Sequence, residues 1–143
     1  MRLPEIGEVV TTEWALELCR DFGLEHLAER IKADPEAFQP WRFDGCSCLP
    51  DEMLGILASG DWRQITYECC LPHDLAYAYG EPGNKDERRR SDRKLERDLI
   101  ERAGMAPWIA AMFHAGVRAG GSEELGLSFS WGFARRRPSQ KEE

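Results

Sequence analysis

The segment Cys69-Cys70-Leu71-Pro72-His73-Asp74-Leu75-Ala76-Tyr77 carries an imidazole, a carboxylate and a phenol close together, directly behind two thiols. An imidazole can take a proton from water, and a carboxylate beside it can hold a hard cation. Together they are parts for metal-assisted hydrolysis. A His-Asp dipeptide is common in proteins of every kind, so its meaning depends on what the fold places next to it.

The elements that must position these groups are a pair of helices. Pro72 lacks a backbone N–H and fits the first turn of a helix, which predicts a start near Glu68 to Cys70 and an end at Tyr79, before Gly80. The turn Glu81-Pro82-Gly83-Asn84 leads into a second helix from about Asp86 to Ala103, stopped at Gly104. At about 100° per residue, His73 shares a face with Cys69, Cys70, Ala76, Tyr77 and Gly80, and Asp74 lies at its edge. On the second helix Leu95, Leu99 and Ala103 form the inward stripe, and Asp92 falls within it. Asp98 points about a quarter-turn away, toward Lys94 and Arg102.

A carboxylate aimed into a helix interface needs a partner. In an antiparallel hairpin the nearest inward polar groups to Asp92 are His73 and Tyr77. A carboxylate on one imidazole nitrogen fixes the tautomer and leaves the other nitrogen to accept a proton. The same geometry also serves a purely structural, satisfied His–Asp pair.

Elsewhere, residues 12–32 have helical spacing with a bend at Gly23, Thr11 or Thr12 as cap, and a short turn opening at Asp34-Pro35. Gln39 to Asp51 reads as irregular, 51–66 as short-helical or irregular, and 107–118 as a helix apolar nearly all round and so buried. Leu125–Phe133 reads as extended, and the basic stretch from Arg135 as a charged, disordered tail. The organisation is one all-α domain over 1–134, with an N-terminal helical part (1–39) and a tail at 135–143.

Composition is that of an ordinary globular chain: 143 residues, 42% hydrophobic, 31% charged. A net charge of −7 argues against nucleic acid as the main partner and, at a lipid interface, favours zwitterionic or metal-bridged over strongly anionic surfaces. Arg88-Arg89-Arg90 with Arg93 and Lys94, and Arg135-Arg136-Arg137, read as a solvated helix face and a charged tail. No run of residues has the length and apolarity of a membrane span, and no apolar stretch of a signal peptide follows Met1. The chain as written is therefore cytoplasmic by expectation. Five cysteines (Cys19, Cys46, Cys48, Cys69 and Cys70) leave the redox compartment open. His26 and His114 read as surface or packed histidines, and Trp41 and Phe43 as core residues or as contacts to acyl chains.

The loop Asp44-Gly45-Cys46-Ser47-Cys48-Leu49-Pro50-Asp51, followed by Cys70-x-x-His73-Asp74-x-x-Tyr77, resembles the small bacterial and fungal phospholipase A2 family over about residues 40–103. That resemblance implies a mainly helical phospholipase A2-like domain, hydrolysis of the sn-2 ester of glycerophospholipids, and calcium as cofactor. It implies His73 as the base that deprotonates water, Asp92 as its orienter and Tyr77 as a hydrogen-bond donor to Asp92. Asp74, Asp44 and the Gly45 carbonyl become calcium ligands, and Cys46–Cys70 a disulfide tying loop to helix. The phospholipid substrate would be met at a membrane interface, and secretion is the alternative localisation. The segment between Asp51 and Cys70 is longer than the family's. Two other readings stand beside it: a phospholipase-like scaffold that binds lipid or protein without turnover, and a zinc-stabilised module using Cys46, Cys48, Cys69 and Cys70.

Overall fold

A computed structural model of the chain describes residues 1–46 and 62–136. The described residues are mostly helical. Thr11 caps α1 (Thr12–Asp21) by accepting from the Trp14 N–H at 3.2 Å. After a break at Phe22-Gly23 the chain resumes as α2 (Glu25–Ala33), followed by a 3₁₀ turn at Pro35–Ala37. Both helices follow the apolar spacing of the sequence and bury Ala15, Leu18, Leu27 and Ile31 against each other.

Two residues on each side of this unit pair as a small antiparallel sheet, β1 (Val9–Val10) with β2 (Trp41–Arg42), in the register Val9↔Arg42 and Val10↔Trp41. Strands this short carry no alternation to read, so residues 39–46 looked merely irregular. The sheet holds the chain entering the Asp44-Gly45-Cys46 loop. Gly45 adopts φ +76°, a backbone conformation natural to glycine.

The helix bearing His73 begins earlier than the proline suggests. A turn at Trp62–Gln64 continues through a π-helical segment, Ile65–Cys70, directly into α3 (Leu71–Ala78). Pro72 thus sits inside a continuous helical run. The expected start rested on α-helical geometry, where the ring collides with the carbonyl four residues back. Here the Leu71 N–H bonds the Thr66 carbonyl five residues back, and the wider turn accommodates the ring. The remainder of the 51–66 expectation, with Cys48 and Asp51, lies outside the described residues.

α4 (Lys85–Glu101) is capped by Asn84, whose side chain accepts from the Glu87 N–H at 2.9 Å. α5 (Pro107–Gly120) follows. α5 corrects the expectation of all-round burial. It buries Ala110, Phe113 and Val117 but leaves Trp108 66% and Met112 48% exposed, because only one of its sides packs on α4. Residues 125–133, expected to be extended, instead form turns after a 3₁₀ turn at Glu123–Leu125. Ser130 Oγ and the left-handed Gly126 fold this segment back on itself. Arg135 and Arg136, the start of the expected tail, are held by their main chain: Arg135 bridges Phe38, and the Arg136 N–H donates to Ala37 O at 2.8 Å.

Two apolar clusters meet at the His73 helix. Leu71, Leu75, Ala78 and Tyr79 face the N-terminal helices. Cys69 and Cys70 face Leu95 and Leu99 of α4 and Phe113 and Val117 of α5. His73 and Tyr77 belong to neither cluster and meet Asp92 of α4. Arg30 ties the frame together, donating to Tyr79 O and to the buried Glu87 carboxylate, both at 2.8 Å.

Candidate functional site

The α3–α4 hairpin runs antiparallel with Tyr77 beside Arg88 and His73 beside Asp92. His73 Nε2 lies 2.9 Å from Asp92 Oδ1, and Tyr77 Oη donates to the same oxygen at 2.7 Å. Asp92 is fully buried and His73 is 7% exposed. The imidazole also packs on the Tyr77 ring, with centroids 4.5 Å apart. The inward Asp92, rather than Asp98, meets the histidine. Asp98 instead pairs with Lys94 at 2.6 Å and Arg102 at 3.5 Å.

Asp92 has a further partner from α5. Arg118 Nη1 donates to Asp92 Oδ2 at 2.7 Å. Arg88 stands 4.0 Å from the same oxygen, donates to Tyr77 Oη at 3.0 Å, and holds the carbonyls of Val117 and Arg118 at 3.0 and 2.8 Å. Burial pushes the Asp92 carboxyl up, but hydrogen bonds from His73, Tyr77 and Arg118 outweigh it and hold the group below its ordinary range. An ionised Asp92 is acceptor-only, so the imidazole must donate through Nε2–H. That tautomer leaves the Nδ1 lone pair for proton transfer. The Tyr77 hydroxyl is pushed well up by burial and by Asp92, which keeps it a neutral donor.

Neither arginine stood out in the sequence. Arg88 sits in an Arg-Arg-Arg run that looks solvated, yet it lies four residues before Asp92 on the same face. Arg118 is the one charged residue of a helix that is apolar apart from it and His114, and it stands beside the buried Val117, which is the signal that could have found it.

The candidate calcium groups come from both ends of the Cys46–Cys70 disulfide, whose Cα atoms are 5.5 Å apart. That cross-link ties the Asp44-Gly45 loop to the start of α3. Asp44 is exposed and Asp74 half-buried. Burial, and then the nearby Asp44 charge, hold the Asp74 carboxyl well above its ordinary range. Among the described residues no group of three or more His, Cys, Asp and Glu side chains is arranged to hold a metal. The candidate set is therefore two carboxylates and the Gly45 carbonyl.

The disulfide consumes two of the four thiolates that a zinc site would need, and Cys48 lies outside the described residues. Cys69 and Cys19 are buried free thiols pushed up to about 12 by burial, which makes them inert packing groups. Trp41 and Phe43 are core residues, with Trp41 Nε1 donating to Tyr79 Oη at 2.9 Å. His114 is half-buried on α5, its Nε2 without a hydrogen-bond partner among the described residues.

His73 lines a cleft of about 400 Å³ between α2, α3 and α4. Leu24, Pro72, Ala76 and Leu95 give it apolar walls, and His26, Arg90 and Lys94 stand among its polar lining. Space for an apolar chain thus adjoins an oriented imidazole. Comparison of the chain with protein-family models, with curated proteins and with solved structures gives no match.

Proposed function

We propose that this chain is a calcium-dependent, phospholipase A2-like esterase that hydrolyses the sn-2 ester of glycerophospholipids. The observation that carries the reading is the buried His73–Asp92–Tyr77 cluster, braced by Arg88 and Arg118 and bordering a cleft with apolar patches in its wall. The fold is read as phospholipase A2-like on the same grounds, from the α3–α4 hairpin and the disulfide-tied loop.

In this reading His73 Nδ1 takes a proton from a water molecule as its oxygen attacks the ester carbonyl. The positive charge that develops on the ring is stabilised by Asp92. Tyr77 and Arg118 hold the carboxylate in place, so that it does not rotate away as the imidazole charges. The protonated ring then delivers its proton to the departing glycerol oxygen. No side-chain nucleophile is needed.

The residues present suit calcium. Their donors are all oxygen, and two neighbouring carboxylates, one made costly to ionise by burial and by the other, favour a divalent cation between them. Asp74, Asp44 and the Gly45 carbonyl would hold it. Bound there, calcium would supply positive charge for the substrate phosphate and for the oxyanion of the attacked ester.

The test is fatty-acid release from phospholipid in millimolar calcium and in excess EDTA. Release that requires calcium supports the reading. If no phospholipid is hydrolysed and EDTA changes neither stability nor lipid binding, the reading fails and a non-catalytic scaffold takes its place.

A further inference from the structure

The exposed side of α4 carries cations that make no ion pair among the described residues. Arg90, Arg93 and Arg97 are exposed, and none has an ion-pair partner among the described residues. Their neighbours differ: Arg89 pairs with Asp86 at 3.1 Å, Lys94 with Asp98 at 2.6 Å, and Arg102 with Asp98 at 3.5 Å. At three- and four-residue spacing the unpaired arginines form one row, roughly 10 Å long at 1.5 Å rise per residue. Asp86 and Glu101 lie at the two ends of that face. The row starts at the cleft, because Arg90 lines it together with His73.

We propose that this row docks the protein on an anionic phospholipid bilayer, with Arg90 placing the edge of the cleft beside the lipid. The chemistry beside the row favours an amphiphile. Leu24, Pro72, Ala76 and Leu95 line the cleft with apolar surface suited to an acyl chain, and its two carboxylates are already paired, Glu87 with Arg30 and Asp98 with Lys94. Arg90 at its edge, and Arg93 and Arg97 beyond it, present guanidinium groups to phosphate. A nucleic acid would have no use for the apolar walls. The net charge of −7 does not oppose the docking, since at physiological salt charges act over only about 8 Å. A bilayer under α4 senses the row together with Asp86, Glu96 and Glu101 on or beside it, and not the acidic side chains elsewhere on the protein. This reverses the preference for zwitterionic surfaces that net charge alone suggests. Only the identification of the docked lipid as substrate rests on the esterase reading.

The experiment is co-sedimentation with vesicles of phosphatidylcholine alone or mixed equally with phosphatidylglycerol. It is run in EDTA so that no metal bridges protein and lipid. The wild-type chain should bind the mixed vesicles, lose that binding at high salt, and ignore pure phosphatidylcholine. Each basic residue near such a surface is worth about fivefold, so the Arg93→Gln/Arg97→Gln double variant should partition about 30-fold more weakly. Its hydrolysis of a soluble short-chain phospholipid should match the wild type. Equal binding to both vesicle types, full binding by the double variant, or equally tight binding to duplex DNA would each overturn the proposal. Selective vesicle binding without any hydrolysis would keep the docking and remove the esterase reading. Hydrolysis without vesicle selectivity would do the reverse.

Discussion

Replacing Asp92 by asparagine keeps the size of the side chain and removes the charge on which the cluster converges. In the native fold that carboxylate is fully buried and accepts from Tyr77 at 2.7 Å and Arg118 at 2.7 Å, with His73 at 2.9 Å. Removing one partner of a fully buried ion pair costs about 3–5 kcal/mol. Arg118 is 32% exposed, so water recovers part of the loss, and about 2–3 kcal/mol is expected. For a domain of this size that lowers Tm by about 6–9 °C. The effect on catalysis follows from donors and acceptors. An asparagine whose NH₂ faces His73 forces Nε2 to accept, which moves the ring proton onto Nδ1 and removes the base. A loss of about 10²- to 10⁴-fold in kcat is expected, with KM little changed. The stability difference also depends on pH. The native Asp92 carboxyl is held below its ordinary 3.8, so its contribution is complete above that value. That contribution is lost as pH falls through the lowered native value, and the gap between wild type and Asp92→Asn should close there. Denaturant titrations at neutral and acid pH, beside initial rates, measure both effects. A variant within threefold of wild-type kcat, or a stability gap unchanged by acid, would refute the reasoning.

Two further outcomes follow from local geometry. A Cβ on Gly121 would stand 2.6 Å from Tyr77 Cε2 and 2.7 Å from its hydroxyl, so Gly121→Ala should push Tyr77 off Asp92 and cut kcat about 10- to 100-fold. Gly120→Ala, with nothing within 4 Å, is the control and should leave kcat unchanged. The Cys46→Ser/Cys70→Ser variant opens a cross-link spanning a sequence separation of 24. It should lose about 3 kcal/mol in denaturant titration and need more calcium for half-maximal activity.

Much of the site was legible because a few strong rules agree. An inward carboxylate must find a partner, and helical periodicity across a tight turn leaves His73 and Tyr77 as the nearest candidates. The structure supplies those bonds. The Cys46–Cys70 cross-link was legible only through resemblance, since the cysteines by themselves permit other pairings. Arg88 and Arg118 were not legible. Surface and buried arginines look alike in a sequence, and Arg118 reaches Asp92 from a helix 26 residues away. The π-helical run through Pro72 escaped notice because the proline rule assumes α-helical spacing. The apolar outer side of α5, with Trp108 and Met112, misled for a different reason. Periodicity reports how apolar a helix is, and not how many neighbours cover it.

The central claim is that His73, held by Asp92, is the base that hydrolyses a phospholipid ester. Its most direct test is regiospecific fatty-acid release by the purified chain in millimolar calcium, with His73→Asn alongside. The account predicts release from the sn-2 position by the wild type, and none by a His73→Asn protein of native circular dichroism. Equal release by both proteins, or none by either, would contradict it.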